Sequence, residues 1–168
     1  MTENPPGASQ PGRLPRTVFV TIPRMLMALL ILAGIAINFA NVVARYLFDF
    51  AIFWAEEIMV FIIIWCVFIG AITVTYNGAH LRMDLLATRL SGRWKSIING
   101  LTAVAFLVLG VFLIPQSFEV VSFLGNANQV SVTASVPKEI PHSAILVGFV
   151  FMVLAVSVRL RSYLTGRF

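Results

Sequence analysis

Four times in this chain the charged residues stop for the length of a membrane crossing, and that spacing constrains the fold more than any other feature. Met25–Ala44 is a run of 20 uncharged residues, Ile58–Tyr76 of 19, Ile97–Ile114 of 18 and Ser143–Val158 of 16. A helix rises about 1.5 Å per residue, so runs of this length match the roughly 30 Å hydrocarbon core of a bilayer. The last run extends backwards through Ile140, Pro141 and His142 to spanning length. The third continues past Pro115, because Phe118, Val120, Val121, Phe123 and Leu124 prolong its apolar pattern in a tilted or kinked helix. The expectation is an all-α integral membrane protein with helices at about 23–45, 54–76, 96–124 and 140–160. Residues 1–20 are expected to be a disordered tail, 21–162 the four-helix membrane domain, and 163–168 a second tail. The first 17 residues hold four prolines and almost nothing apolar, too little to offset the entropy of ordering. Pro23 falls where the start of a helix tolerates it. A cleaved signal peptide is the competing reading of the first run, which is too long for one and lacks a clear small-residue cleavage site.

Composition and charge agree with lipid as the solvent. Hydrophobic residues make up 59% of the chain and charged ones only 11%, where a soluble domain carries about 25% charged, and the mean hydropathy is +0.92. The pI near 10.2 would suit a nucleic-acid binder, but the basic residues are sorted by side. With the N-terminus cytoplasmic, ten Lys/Arg and two Asp/Glu lie on the inner side, against two Lys/Arg (Arg45 and Lys138) and five Asp/Glu outside. That bias is the positive-inside pattern, so both termini are expected in the cytoplasm, and the basic charge is answered by anionic lipid rather than nucleic acid. Tyr46, Phe53 and Trp54 then fall at the outer interface, and Tyr76, Trp94 and Tyr163 at the inner one.

Enzymes and pumps in membranes carry ionisable groups at mid-depth, and here the helix cores have none. Cys66 is the single cysteine, which excludes an intrachain disulfide. His80 and His142 fall on opposite sides of the membrane, so they cannot be the two axial ligands of one haem. No Ser/His/Asp grouping, glycine-rich phosphate loop or HExxH appears, and neither a cofactor nor catalysis is expected. The polar residues suit protein contacts instead. Asn38 and Asn41 share a face of the first helix, where they would hydrogen-bond to a neighbouring helix or within the four-helix bundle. Trp65, near the middle of the second helix, has an indole N–H that wants a partner in protein. With Trp54, Glu57 and Phe61 it forms a stripe along one side of that helix. Between helices two and three, Met83, Leu86, Ala87 and Leu90 share one face of a short amphipathic helix suited to the inner headgroup region, where it would touch lipid or brace a partner.

Read in order, Asn41-Val42-x-x-Arg45-Tyr46, Trp54-x-Glu56-Glu57, Trp65, Gly70-Ala71 and His80-Leu81-x-x-Asp84 resemble the small permease subunit of tripartite ATP-independent periplasmic (TRAP) transporters, the DctQ-like family. The resemblance covers roughly residues 20–160. The stretch of small residues and proline usual before the last helix is Ser131 to Pro141 here, with Lys138-Glu139 inserted. The resemblance implies a bacterial inner-membrane system in three parts. A periplasmic binding protein captures an organic acid, a large multi-helix permease subunit moves it with an ion gradient, usually sodium, and the small subunit scaffolds the large one. Two rivals remain. One is a small stand-alone proton-coupled exporter using Glu56 or Glu57, although both lie at the membrane edge; the other is a structural membrane protein with a different partner.

Antiparallel packing of helices one and two brings Arg45 near the acidic pair. Glu56 and Glu57 point about 100° apart on a helix, so one can answer Arg45 while the other addresses a partner. Glu56 is assigned to Arg45 and Glu57 to the partner, with the ion pair expected to exceed the roughly 0–1 kcal/mol of an exposed one.

Overall fold

The structure, a computed structural model, describes residues 13–77 and 93–159. It is helical apart from short connections, and its four long helices are each apolar enough to cross a membrane. They are α1 (Ile22–Leu47), α2 (Phe53–Tyr76), α3 (Arg93–Asn126) and α4 (Glu139–Val158). The interfacial helix expected between α2 and α3, with His80 and Asp84, lies outside the described residues.

The first helix begins earlier than the sequence suggests. A turn at Arg13–Arg16 and a π-helical turn at Thr17–Thr21 lead without a break into α1. Residues 13–20, expected to be disordered tail, are therefore the base of the first rod, and Phe19 and Val20 are buried. Pro23 explains the form of this junction. It has no N–H to give to the carbonyl four residues back, which is that of Phe19, and its ring crowds that position. The wider π turn accommodates the ring. The Thr73 hydroxyl of α2 donates to the Phe19 carbonyl at 3.2 Å, so a group the proline leaves short is satisfied from the neighbouring helix.

The four helices form an open row. α1 packs on α2, α2 on α4 and α4 on α3, while α1 and α3 share no comparable contact. Burial follows this order: 6% of the apolar window of the first span is buried, against 33% for α4, which has a neighbour on each side. Two glycines on α4 and α3 set how closely the central rods approach. A Cβ on Gly148 would stand 2.6 Å from Phe68 Cδ1, and one on Gly110 would stand 2.5 Å from Val153 Cγ2. Absence of a side chain there lets the rods pack by direct van der Waals contact, as small residues do between membrane helices.

α3 runs through Pro115, as expected, and stops for an identifiable reason. Asn128 adopts a left-handed conformation (φ 47°), and its N–H and that of Gln129 donate to the carbonyls of Gly125 and Leu124. That is a Schellman closure, with asparagine in the place glycine usually takes. The chain then makes a tight loop, pinned by an isolated antiparallel bridge between Val130 and Pro137, before α4 begins.

The Pro23–Thr73 junction is testable by a double-mutant cycle. Thr73→Val should destabilise the detergent-solubilised protein by about 1–3 kcal/mol, the cost of a buried acceptor losing its donor. Pro23→Ala restores a backbone N–H near the Phe19 carbonyl, so the double variant should lose less than the two single losses combined, read from thermal unfolding.

Candidate functional site

Polar chemistry gathers at the end of the row formed by the α1–α2 turn and the α3–α4 loop. The turn between α1 and α2 holds its shape through Asn41, which is buried to 6% exposure and accepts a hydrogen bond from the Ile52 N–H at 3.0 Å. Ile52 is the residue just before α2, so this bond fixes where the helix starts. Asn38 shares neither the burial nor that role and is exposed, so the two asparagines do not act as a pair.

Arg45, in the last turn of α1, meets Glu56, in the first turn of α2, with Nη2 3.4 Å from Oε1. The pair is the one the spacing favoured, but its side chains are 54% and 70% exposed. An ion pair with that much exposure belongs in the roughly 0–1 kcal/mol range where water surrounds it, and a larger value would come from the membrane interface.

Glu57, which the sequence assigns to a partner, also bonds within the chain. Its Oε2 accepts hydrogen bonds from the Thr133 N–H at 3.0 Å, from the Ala134 N–H at 2.8 Å and from the Thr133 hydroxyl. A carboxylate thus fastens the α3–α4 loop onto α2. Inside that loop the Ser131 N–H donates to the Val136 carbonyl, the Val136 N–H donates to the Ser131 hydroxyl, and Ser135 takes φ 53° to turn the chain. Thr133, Ala134 and Ser131 were missed by the sequence reading, which gave this stretch no function. The available signal was a run of small hydroxyl residues beside an acid at the start of α2.

Of the aromatic stripe on α2, Trp54 is 47% exposed and Trp65 half-buried. Phe61 and Glu57 instead line a groove of about 490 Å³ between α2 and α4. A smaller groove, about 200 Å³, runs between α3 and α4 past Gln116 and Ser117, and His142 and Ile145 line both. The two grooves therefore open on one face of the row, with a ridge of α4 between them.

The opposite end is closed by an aromatic clamp. Phe19 stacks on Tyr76 with centroids 5.2 Å apart and planes within 7°, and Phe151 meets Phe19 edge-on at 6.4 Å. Arg159 lies over the Tyr76 ring at 4.9 Å and donates to the Tyr76 carbonyl at 2.8 Å. A cation at the C-terminus of α2 satisfies a carbonyl with no partner in its own helix and sits favourably in the helix dipole. The clamp joins the base of α1 to the ends of α2 and α4. Among the described residues no cluster of three His, Cys, Asp or Glu is placed to hold a metal ion.

The comparisons point in one direction. The family model described as "Tripartite ATP-independent periplasmic transporters, DctQ component" matches residues 34–166. An isethionate TRAP transporter permease protein, DctMQ, of Oleidesulfovibrio alaskensis is 29% identical over 68% of this chain and 17% of its own length. A putative TRAP transporter small permease protein of Haemophilus influenzae is 26% identical over 74% of this chain and 76% of its own. A C4-dicarboxylate TRAP transporter small permease protein, DctQ, of Vibrio cholerae is 30% identical over 58% of this chain and 42% of its own. The chain thus spans less than half the length of two of these three. Glu57 and its loop lie inside the matched stretch, whereas Phe19 and Pro23 lie before it.

Glu57→Ala should free the α3–α4 loop without unfolding the helices. Amide exchange at residues 131–136 should rise severalfold as the loop loses its charge-assisted bonds, whereas Arg45→Ala should leave the same amides unchanged.

Proposed function

The chain belongs to the DctQ component family of tripartite ATP-independent periplasmic transporters, and from that premise we propose that it is the small, non-catalytic membrane subunit that scaffolds a large multi-helix permease subunit. The transporter is driven by an ion gradient, usually sodium, and takes organic acids from a periplasmic binding protein. The observation that carries this reading is the family match over most of the chain. The open row supports it, because a scaffold needs broad apolar faces to offer and α1 and α3 leave theirs uncovered. The names of two relatives support the substrate class, one naming isethionate and the other C4-dicarboxylates, all small organic acids. The DctMQ relative supports the partner: its name joins the two components, and this chain corresponds to 17% of it.

In this reading the protein sits in the bacterial inner membrane with the clamp of Phe19, Tyr76 and Arg159 at the cytoplasmic side. The Arg45–Glu56 pair and the loop held by Glu57 face the periplasm, toward the binding protein. Trp65 is the anchor for the large subunit, with Trp54 nearer the periplasmic interface. The exporter alternative needs a carboxylate free to exchange protons within the membrane. Glu57 is engaged by Thr133 and Ala134, and Glu56 stands beside Arg45 at the exposed end, which favours the scaffold.

The test is reconstitution. Liposomes holding this chain with the large subunit and binding protein should take up organic acid under a sodium gradient, and liposomes with this chain alone should take up none. Uptake by the single chain would overturn the scaffold role. Trp65→Ala should weaken co-purification with the large subunit by roughly tenfold or more, the loss typical of a buried aromatic anchor, with membrane insertion unchanged. A cytoplasmic reporter fused after Phe168 should be active, and a periplasmic one silent.

A further inference from the structure

The groove between α2 and α4 has the depth of one membrane leaflet and a mouth that carries charges of both signs. Along α2 it runs from Glu57 to Phe68, which at 1.5 Å per residue is roughly 16 Å, and one leaflet of a bilayer contributes roughly 15 Å of hydrocarbon. Its polar lining is confined to the loop end: Glu57, Ser131, Lys138 and His142. Below them the walls are Phe61, Ile64 and Ile145, and Phe68, seated against Gly148, closes the bottom.

We propose that this groove holds a single phospholipid whose headgroup carries both a phosphodiester and a primary ammonium, as in phosphatidylethanolamine. One acyl chain lies along the groove and the headgroup sits at its mouth. Lys138 answers the phosphodiester. Among the described residues it has no carboxylate within 4 Å, so its charge is not already paired with an acid. His142 donates its Nδ1–H to the Lys138 carbonyl at 2.7 Å, which leaves Nε2 as an acceptor for the ammonium. The bonds from Thr133 and Ala134 to Glu57 go to Oε2, and Oε1 can accept from the ammonium. An anionic headgroup without the ammonium would meet the Glu57 carboxylate uncompensated. A trimethylated ammonium would have no N–H to give it.

The chemistry of the walls favours a lipid chain over a transmembrane helix of another protein. Helices that dock closely in membranes meet through glycine, alanine and serine. Here the walls are bulky, and the one glycine at the bottom is already filled by Phe68. A narrow channel between large apolar side chains fits an alkyl chain.

The full-length chain, purified without any other subunit, is placed in nanodiscs of equimolar phosphatidylethanolamine, phosphatidylglycerol and phosphatidylcholine. Lipid retained after release into mild detergent is counted by native mass spectrometry. The expected result is preferential retention of one phosphatidylethanolamine per chain. Lys138→Gln should lower it roughly tenfold through loss of a charge-assisted contact, and Ile145→Trp should do so by filling the groove. Should Ile145→Trp fail to fold, a benzophenone amino acid in place of Ile64 reads the same site, and irradiation in native membranes should yield a lipid adduct. Equal retention of the three lipids, retention unaffected by Lys138→Gln, or an Ile64 adduct to a polypeptide would overturn the proposal. Because no partner subunit takes part in the lipid count, that result stands apart from the scaffold reading.

Discussion

A backbone N–H or C=O left unpaired in hydrocarbon costs several kcal/mol, and water is not there to take its place. The helices of this protein meet that demand through most of their length by their own ladders. At several places where the ladders end or break, a side chain from elsewhere in the chain supplies a missing partner. Asn41 accepts from Ile52 where α2 starts, Thr73 donates to Phe19 where Pro23 interrupts the first rod, and Arg159 donates to Tyr76 where α2 ends. Glu57 does the same for the α3–α4 loop, taking the N–H groups of Thr133 and Ala134. Each of these bonds also ties two elements together, so local satisfaction and tertiary architecture come from the same contacts.

α2 is the element on which these ties converge. It receives the turn from α1 at one end, the loop before α4 near the same end, and the clamp of Phe19 and Arg159 at the other. α4 then carries α3 on its far side. An array of this kind is held by neighbours along a line rather than by a common interior. Its large apolar exposure is consistent with lipid and protein supplying the remaining contacts, as expected of a subunit in a larger membrane assembly.

Much of the fold was legible because a membrane span is a property of composition over about 20 residues, and charged residues bound each run sharply. The Arg45–Glu56 pairing was legible because a short connection and a 100° helical step leave few choices. The base of α1 was not. Pro15 fell in the proline-rich stretch read as tail and Pro23 read as a helix start, and only the tertiary packing of Phe19 on Tyr76 shows that the rod begins earlier, through a π turn. The order in which the helices pack was not legible either. In water a shared core drives helices together. In lipid that drive is absent, and the order of packing is set by where small residues such as Gly110 and Gly148 allow approach. The bonds between Glu57 and the α3–α4 loop were not legible for another reason. Glu57 Oε2 is taken by loop residues 76 and 77 positions away, and no helical periodicity links them.

The central structural claim is that the four helices form an open row in the order α1, α2, α4, α3. Its direct test is the distance between Leu32 on α1 and Phe112 on α3, both exposed and near the middle of their spans. Spin labels would be placed there in a Cys66→Ala background and read by pulsed electron resonance in nanodiscs. With neighbouring axes about 8–10 Å apart, the row predicts a separation of roughly 25–30 Å. A single distribution centred near about 10 Å would mean that α1 and α3 are neighbours, and would contradict the account.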